Sequence, residues 1–189
     1  TLPEGIEADV IKGLYRFATH AVKKARGQVR LMGSGTILRE VIAAAEMLAQ
    51  DWQVETEVWS ATSFSELARD AAEVERWNRL HPQDPQRTSH VRQCLGGDAP
   101  IVAASDYVRA WPQLVASHVQ APFVALGTDG FGRSDTRAAL RSFFEVDRQQ
   151  IVLSALTALR EQGKVDAAAC AEAITRYGIN AEQRPSWTR

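Results

Sequence analysis

Four short apolar runs punctuate the chain: Val29-Arg30-Leu31-Met32, Val54 to Trp59, Ile101-Val102-Ala103-Ala104 and Phe123-Val124-Ala125-Leu126. Each ends in small or hydroxyl residues, and each is followed by a helical pattern. Strand-then-helix alternation predicts a parallel sheet covered on both faces. One segment departs from this. Gly13 to Thr19 alternates apolar and polar side chains and is joined to the first run by a basic turn too short for a crossover helix. It is therefore expected to be an antiparallel edge strand.

The helices are more sharply drawn. Ile37, Leu38, Val41, Ile42, Ala45, Leu48 and Ala49 share one stripe of a helix ending near Gln50. Ser63-Phe64-Ser65-Glu66 reads as a capping box in which Ser63 accepts from the Glu66 N–H and Glu66 reaches back. The helix behind it turns Leu67, Ala68, Ala71, Val74 and Trp77 inward, sets Glu75 four residues before Arg79, and stops at His81-Pro82. Residues 82–98 read as a long irregular segment with one or two helical turns between Ser89 and Leu95. Asp106 is expected to cap a turn, and Pro112 to sit in the first turn of a helix running to about His118. The last third predicts three helices, capped by Asp135, Asp147 and Asp166; Gly163 and Gly178 end the latter two. The polar stretch 180–189 is expected to be a mobile tail.

Length and composition suit one domain over 1–189 with a substantial core: 189 residues, 45% of them hydrophobic. A net charge of −1 gives no global pull toward nucleic acid or an anionic membrane. No stretch approaches the roughly 20 apolar residues of a membrane helix, and no signal peptide is visible. The first residue is Thr1, which suggests a processed chain or a fragment of a longer one. The two cysteines, Cys94 and Cys170, form no CxxC pair, and the four histidines lack metal-ligand spacing.

Chemistry concentrates at the strand ends. Gly33-Ser34-Gly35-Thr36, Ser60-Ala61-Thr62-Ser63, Ser105-Asp106 and Gly127-Thr128-Asp129 all fall at the carboxyl edge, where open α/β sheets bind ligands. One reading is a cleft for an anion or polar ligand; the other is that these residues cap helices and permit turns. Gly33-Ser34-Gly35 opens like a dinucleotide fingerprint, but Leu38 replaces its third glycine. The segment Gly127 to Asp135 packs three glycines around an aromatic, a guanidinium and acidic groups. Asp129, Phe131, Arg133, Ser134 and Asp135 are its candidate interface or loop-site residues. Arg133 suits a bound carboxylate or phosphate, or else pairs with Asp129 or Asp135; Phe131 suits a partner-chain anchor, or else folds onto its own core. His90 and Cys94 stand at helical spacing without a visible third group, and no GxSxG elbow occurs. Spacing and composition alone thus describe a three-layer α/β domain with no self-contained active site.

Several blocks carry a family resemblance. Thr62 to Asp70, continuing through Glu75-Arg76-Trp77-Asn78 to Leu80-His81-Pro82, resembles a stretch of the homodimeric pyruvate dehydrogenase E1 family. Leu126 to Asp135 and Leu31 to Arg39 resemble two more, with weaker support from Asp106-Tyr107 and Phe144-Glu145-Val146-Asp147. The blocks stand in family order. The resemblance implies a C-terminal transketolase-like domain: a three-layer α/β/α sandwich on a five-stranded mixed sheet with one antiparallel edge strand. It implies a cytoplasmic, homodimeric parent that decarboxylates pyruvate on thiamine diphosphate with Mg2+ and reductively acetylates the lipoyl group of E2 dihydrolipoyl acetyltransferase. In that family the cofactor lies upstream of this domain. No catalytic, cofactor-binding or metal residue is therefore carried over, and the 189 residues alone are expected to be inactive. The domain is expected to support the dimer, with a regulatory anion- or nucleotide-binding role, or an E2-docking surface, as alternatives.

Overall fold

A computed structural model describes residues 4–189. The expected strands all form: β1 (Leu14–His20), β2 (Gly27–Ser34), β3 (Val54–Ala61), β4 (Ile101–Ala104) and β5 (Phe123–Leu126). Their order across the sheet is β1-β3-β2-β4-β5. β2 runs parallel to β3 from Gly27↔Val54 to Ser34↔Ala61, and parallel to β4 on its other side. β5 closes the far edge parallel to β4. β1 lies antiparallel to β3 at the near edge, with a register irregularity between Arg16 and Ala18. The predicted mixed sheet and its antiparallel edge are thus both present.

Side-chain alternation along the strands divides the interior in two. Val29, Leu31, Val54, Val58, Val102 and Ala104 face one cluster; Met32, Trp59, Ala61, Ile101 and Ala103 face the other. The first is covered by α2 (Leu38–Trp52), α7 (Arg148–Glu161) and α8 (Ala167–Arg176), the second largely by α3 (Phe64–Leu80) and α4 (His90–Cys94). Remaining helices are α1 (Glu7–Lys12), α5 (Ala110–Gln113) and α6 (Arg137–Phe143). Gly33 makes the β2–α2 contact possible: a Cβ there would lie 2.7 Å from the Leu38 Cα. Within β3, Thr56 is fully buried between Val54 and Val58, and its Oγ1 has no hydrogen-bond partner. Thr56→Val is therefore expected to raise stability by about 1 kcal/mol, or roughly 3 °C in Tm. A thermal melt showing a lower Tm would contradict that reading of Thr56.

Local signals held unevenly. Asp147 and Asp166 cap α7 and α8, accepting from the N–H groups of Gln150 and Ala169 at 2.9 and 3.0 Å. Ser63 caps α3 by accepting from Glu66 N–H at 3.1 Å. The reciprocal half of the box is absent: the Ser63 N–H donates to the Gly13 carbonyl, and the Glu66 carboxylate is taken by Arg69. Glu75 pairs not with Arg79 but with His118, 43 residues further along the chain, at 2.6 Å. The helix expected from Pro112 to His118 breaks into α5 and a 3-10 turn, Ala116–His118. α2 runs two residues further than expected, to Trp52, and ends on left-handed Gln53.

Candidate functional site

The four strand ends gather at one rim. Most of their hydroxyls have local work there. Thr62 Oγ1 donates to the Val10 carbonyl at 2.7 Å, and Thr128 Oγ1 to the Asp106 carbonyl at 2.5 Å. The Tyr107 N–H donates to Ser105 Oγ at 3.1 Å, so Ser105, and not Asp106, holds the turn after β4. The Asp106 carboxylate instead accepts a long hydrogen bond from Thr36 Oγ1, 3.4 Å, across the gap between the β2 and β4 ends.

Two neighbouring rim segments are locked together. Gly127 is buried against the 107–109 backbone, where a Cβ would lie 2.6 Å from both Arg109 N and Tyr107 O. The Thr128 N–H donates to the Tyr107 carbonyl at 2.9 Å. Asp129 accepts from Arg109 twice, from the backbone N–H at 2.9 Å and from the guanidinium Nε. Asp129 is therefore paired, but with Arg109, a partner outside its own loop.

The rest of the loop is held from the other end of the chain. Ser186 Oγ donates to the Asp129 carbonyl at 3.0 Å. The Trp187 ring lies 4.5 Å from the Arg109 guanidinium, a cation–π stack, and its backbone packs on Gly130. Arg133 donates to the Arg189 carbonyl, while Arg189 donates to the Phe143 carbonyl at 2.8 Å and stacks on the Phe143 ring. Arg133 thus pairs with neither Asp129 nor Asp135; its acceptor, the Arg189 carbonyl, follows the 3-10 turn Ser186–Thr188. Asp135 accepts from the Thr136 N–H at 2.6 Å, and Thr136, not Asp135, caps α6 through the Ala139 N–H. Ser134 is exposed. Phe131 is 88% exposed and does not fold onto its own core.

Other large apolar side chains near the rim are exposed too. Tyr107, Val108, Trp111 and Leu114 are all exposed on the locked neighbouring segment, with Tyr107 and Trp111 in edge contact at 6.4 Å between ring centroids. Grouped exposure of large apolar side chains makes this segment the candidate contact surface of the domain.

One site residue had no counterpart in the sequence reading. Glu40, on α2, is almost buried, yet it is charged. It accepts from Arg141 at 2.7 Å and from the Arg148 guanidinium at 2.8 and 3.1 Å, and the Arg148 backbone N–H adds a 3.2 Å bond. Its place was legible, since residue 40 lies three after Ile37 and four before Ala44 on the apolar stripe. Its carboxyl is pushed up by burial, but the Arg148 hydrogen bonds and charge, aided by Arg141, outweigh this and hold it below its ordinary value.

The remaining nucleophile candidate is quiet. Burial pushes the Cys94 thiol up to about 11, and the charge of Asp9 adds to the effect. Although Cys94 Sγ lies 3.6 Å from His90 Nε2, that nitrogen is committed to the Leu14 carbonyl at 2.8 Å. A thiol protonated at neutral pH and beside an occupied imidazole is no activated nucleophile. Among the described residues, no group of three or more His, Cys, Asp or Glu stands together as metal donors. No described helix is long and apolar enough to cross a membrane.

Comparison with known proteins places these features in a family. The transketolase-like TK C-terminal domain family matches residues 13–147. The pyruvate dehydrogenase E1 component of Cupriavidus necator is 48% identical over 180 residues, 95% of this chain and 20% of the relative. The Escherichia coli K12 protein of the same name is 45% identical over 183 residues, 96% and 20%. The chain thus spans about a fifth of the length of the curated relatives it matches. Among solved structures, transketolase from Leishmania mexicana superposes with a TM-score of 0.52 at 18% identity, covering 88% of this chain and 21% of that one, which supports the fold alone. The blocks around Thr62, Leu126 and Leu31 therefore carried a real relationship: this chain belongs to the transketolase-like C-terminal domain family, in a form similar to that of pyruvate dehydrogenase E1 components.

Proposed function

We propose that this chain is the carboxyl-terminal domain of a longer, homodimeric pyruvate dehydrogenase E1 component and that its part in the enzyme is to support assembly. The parent would decarboxylate pyruvate and pass the acetyl group reductively to the lipoyl group of its E2 partner, in the cytoplasm. Thiamine diphosphate would supply the electron sink for decarboxylation, with Mg2+ on its diphosphate. Among the described residues no group of three or more carboxylate, imidazole or thiol donors stands together for the metal. On the family resemblance, the proposal assigns cofactor and chemistry to other parts of the parent.

The observation that carries the proposal is the exposure of Tyr107, Trp111, Leu114 and Phe131 along two rim segments that backbone and ionic contacts tie together. Aromatic side chains presented on a rigid support are the usual anchors of protein interfaces. The test is sedimentation velocity on the full-length polypeptide carrying Phe131→Ser and Trp111→Ser. Losing two such anchors should weaken the dimer at least ~10-fold, the equivalent of about 1.4 kcal/mol. A dimer dissociation constant indistinguishable from wild type would reject the proposal.

A further inference from the structure

Chain direction diverges between β2 and β4. From β2 the chain passes to β3 on one side; from β4 it passes to β5 on the other. In open α/β sheets this divergence leaves a crevice outside the carboxyl ends of the two strands. Here the crevice opens into a recess of about 180 Å3. One wall is apolar, formed by Ile37, Leu140, Phe144 and Val146. The polar side carries Asp106 and Arg137.

Those two charges stand apart from the ion-pair network around them. Arg141, which also borders the recess, is committed to Glu40. Arg137 and Asp106 have no salt bridge among the described residues, either to others or to each other. Asp106 is nonetheless held: its carboxylate accepts from Thr36 and its carbonyl from Thr128. A bound anion would meet Arg137 but be repelled by Asp106, and a bound cation would meet the reverse. A neutral ligand would use neither charge. The lining instead matches a molecule bearing both charges on a short hydrocarbon body. The volume is below the ~300 Å3 typical of sites for drug-sized ligands, which favours a smaller molecule.

We propose that this recess binds a small aliphatic α-amino acid. Its carboxylate rests on Arg137, its ammonium on Asp106, and its side chain against Ile37, Leu140, Phe144 and Val146. This inference does not depend on the E1 assignment. Both charged groups are exposed, so the dissociation constant should lie in the millimolar range, on the order of 1 mM.

The test is titration of the methyl-labelled 189-residue chain, followed by NMR, with L-leucine and two analogues that each lack one charge, isocaproate and isoamylamine. Saturable shifts are expected at the methyl groups of Ile37, Leu140 and Val146, with leucine about 10-fold tighter than either analogue, the scale of one charge-assisted contact. Arg137→Gln should weaken leucine and isocaproate but spare isoamylamine. Asp106→Asn should weaken leucine and isoamylamine but spare isocaproate. Both side chains are exposed, so the variants should fold. Absence of saturable shifts at millimolar leucine overturns the proposal. So does leucine binding no tighter than isocaproate, which would make the recess a plain carboxylate site, or an identical response of the three ligands to both substitutions.

Discussion

Replacing Glu40 by alanine should destabilise the fold by about 2–4 kcal/mol, toward the lower part of the range for breaking a buried ion pair because Arg148 is half-exposed. The carboxylate is only 5% exposed, and its loss strands two guanidinium groups at the junction of α2, α6 and α7. Urea unfolding should show a lower midpoint with an unchanged slope. Glu40→Gln adds a pH signature. The folded carboxyl lies below its ordinary value of 4.5, so its contribution is complete above that pH and drains away as pH falls through the folded value. The stability gap between wild type and Glu40→Gln should therefore be widest near neutrality and close progressively below about pH 4.5. Asp147 works in the opposite sense, since burial pushes its carboxyl up and the charge of Glu40 adds to this. The difference between the two proteins removes titrations that Glu40 does not influence and retains its repulsion with Asp147. A gap that stays constant down to pH 3, about 1.5 units below the ordinary carboxyl range, would contradict the network's role.

The second large effect is expected at Gly127. A methyl group there meets two backbone atoms at 2.6 Å, and backbone cannot rotate aside as a side chain would. Gly127→Ala should cost about 2–3 kcal/mol by overpacking. It should also part the two rim segments, breaking the Thr128–Tyr107 and Arg109–Asp129 backbone-linked hydrogen bonds. Amide exchange at Thr128 and Arg109 reads this directly, with accelerated exchange at both as the expected result. Gly132 is the internal control: a Cβ there meets nothing within 4 Å. If Gly127→Ala and Gly132→Ala unfold at the same urea concentration, the locked-rim account is wrong.

The strands were legible because each apolar run is short, β-rich and closed by small residues, and β4 and β5 coincide with their runs. β1 was legible as antiparallel because its link to β2 leaves no room for a crossover. α1 was missed for an equally physical reason: none of its residues is buried, so it leaves no apolar stripe to read. Caps were readable where a single candidate precedes the helix, as at Asp147 and Asp166. They were not where two compete, as at Asp135-Thr136, because the choice depends on how the incoming loop is anchored.

At the candidate site, local sequence offered Arg133 two nearby carboxylates, and neither was used. Its acceptor is 56 residues away, and the partner of Asp129 is 20 residues away. The arginines on Glu40 lie 101 and 108 residues from it. Spacing arguments reach one or two helical turns; pairing across layers of the sheet lies beyond them. The one local signal at Glu40, a charge at helical spacing between Ile37 and Ala44, went unread in the sequence.

The central claim is a division of labour, with this domain holding the enzyme together and the bond-making done elsewhere. It is tested most directly by turnover per dimer in the full-length Phe131→Ser, Trp111→Ser polypeptide, measured at concentrations where sedimentation shows it fully paired. The account predicts wild-type kcat once the subunits are forced together, with the defect confined to assembly. A kcat that stays depressed in the intact dimer would place this rim in the chemistry and contradict the claim.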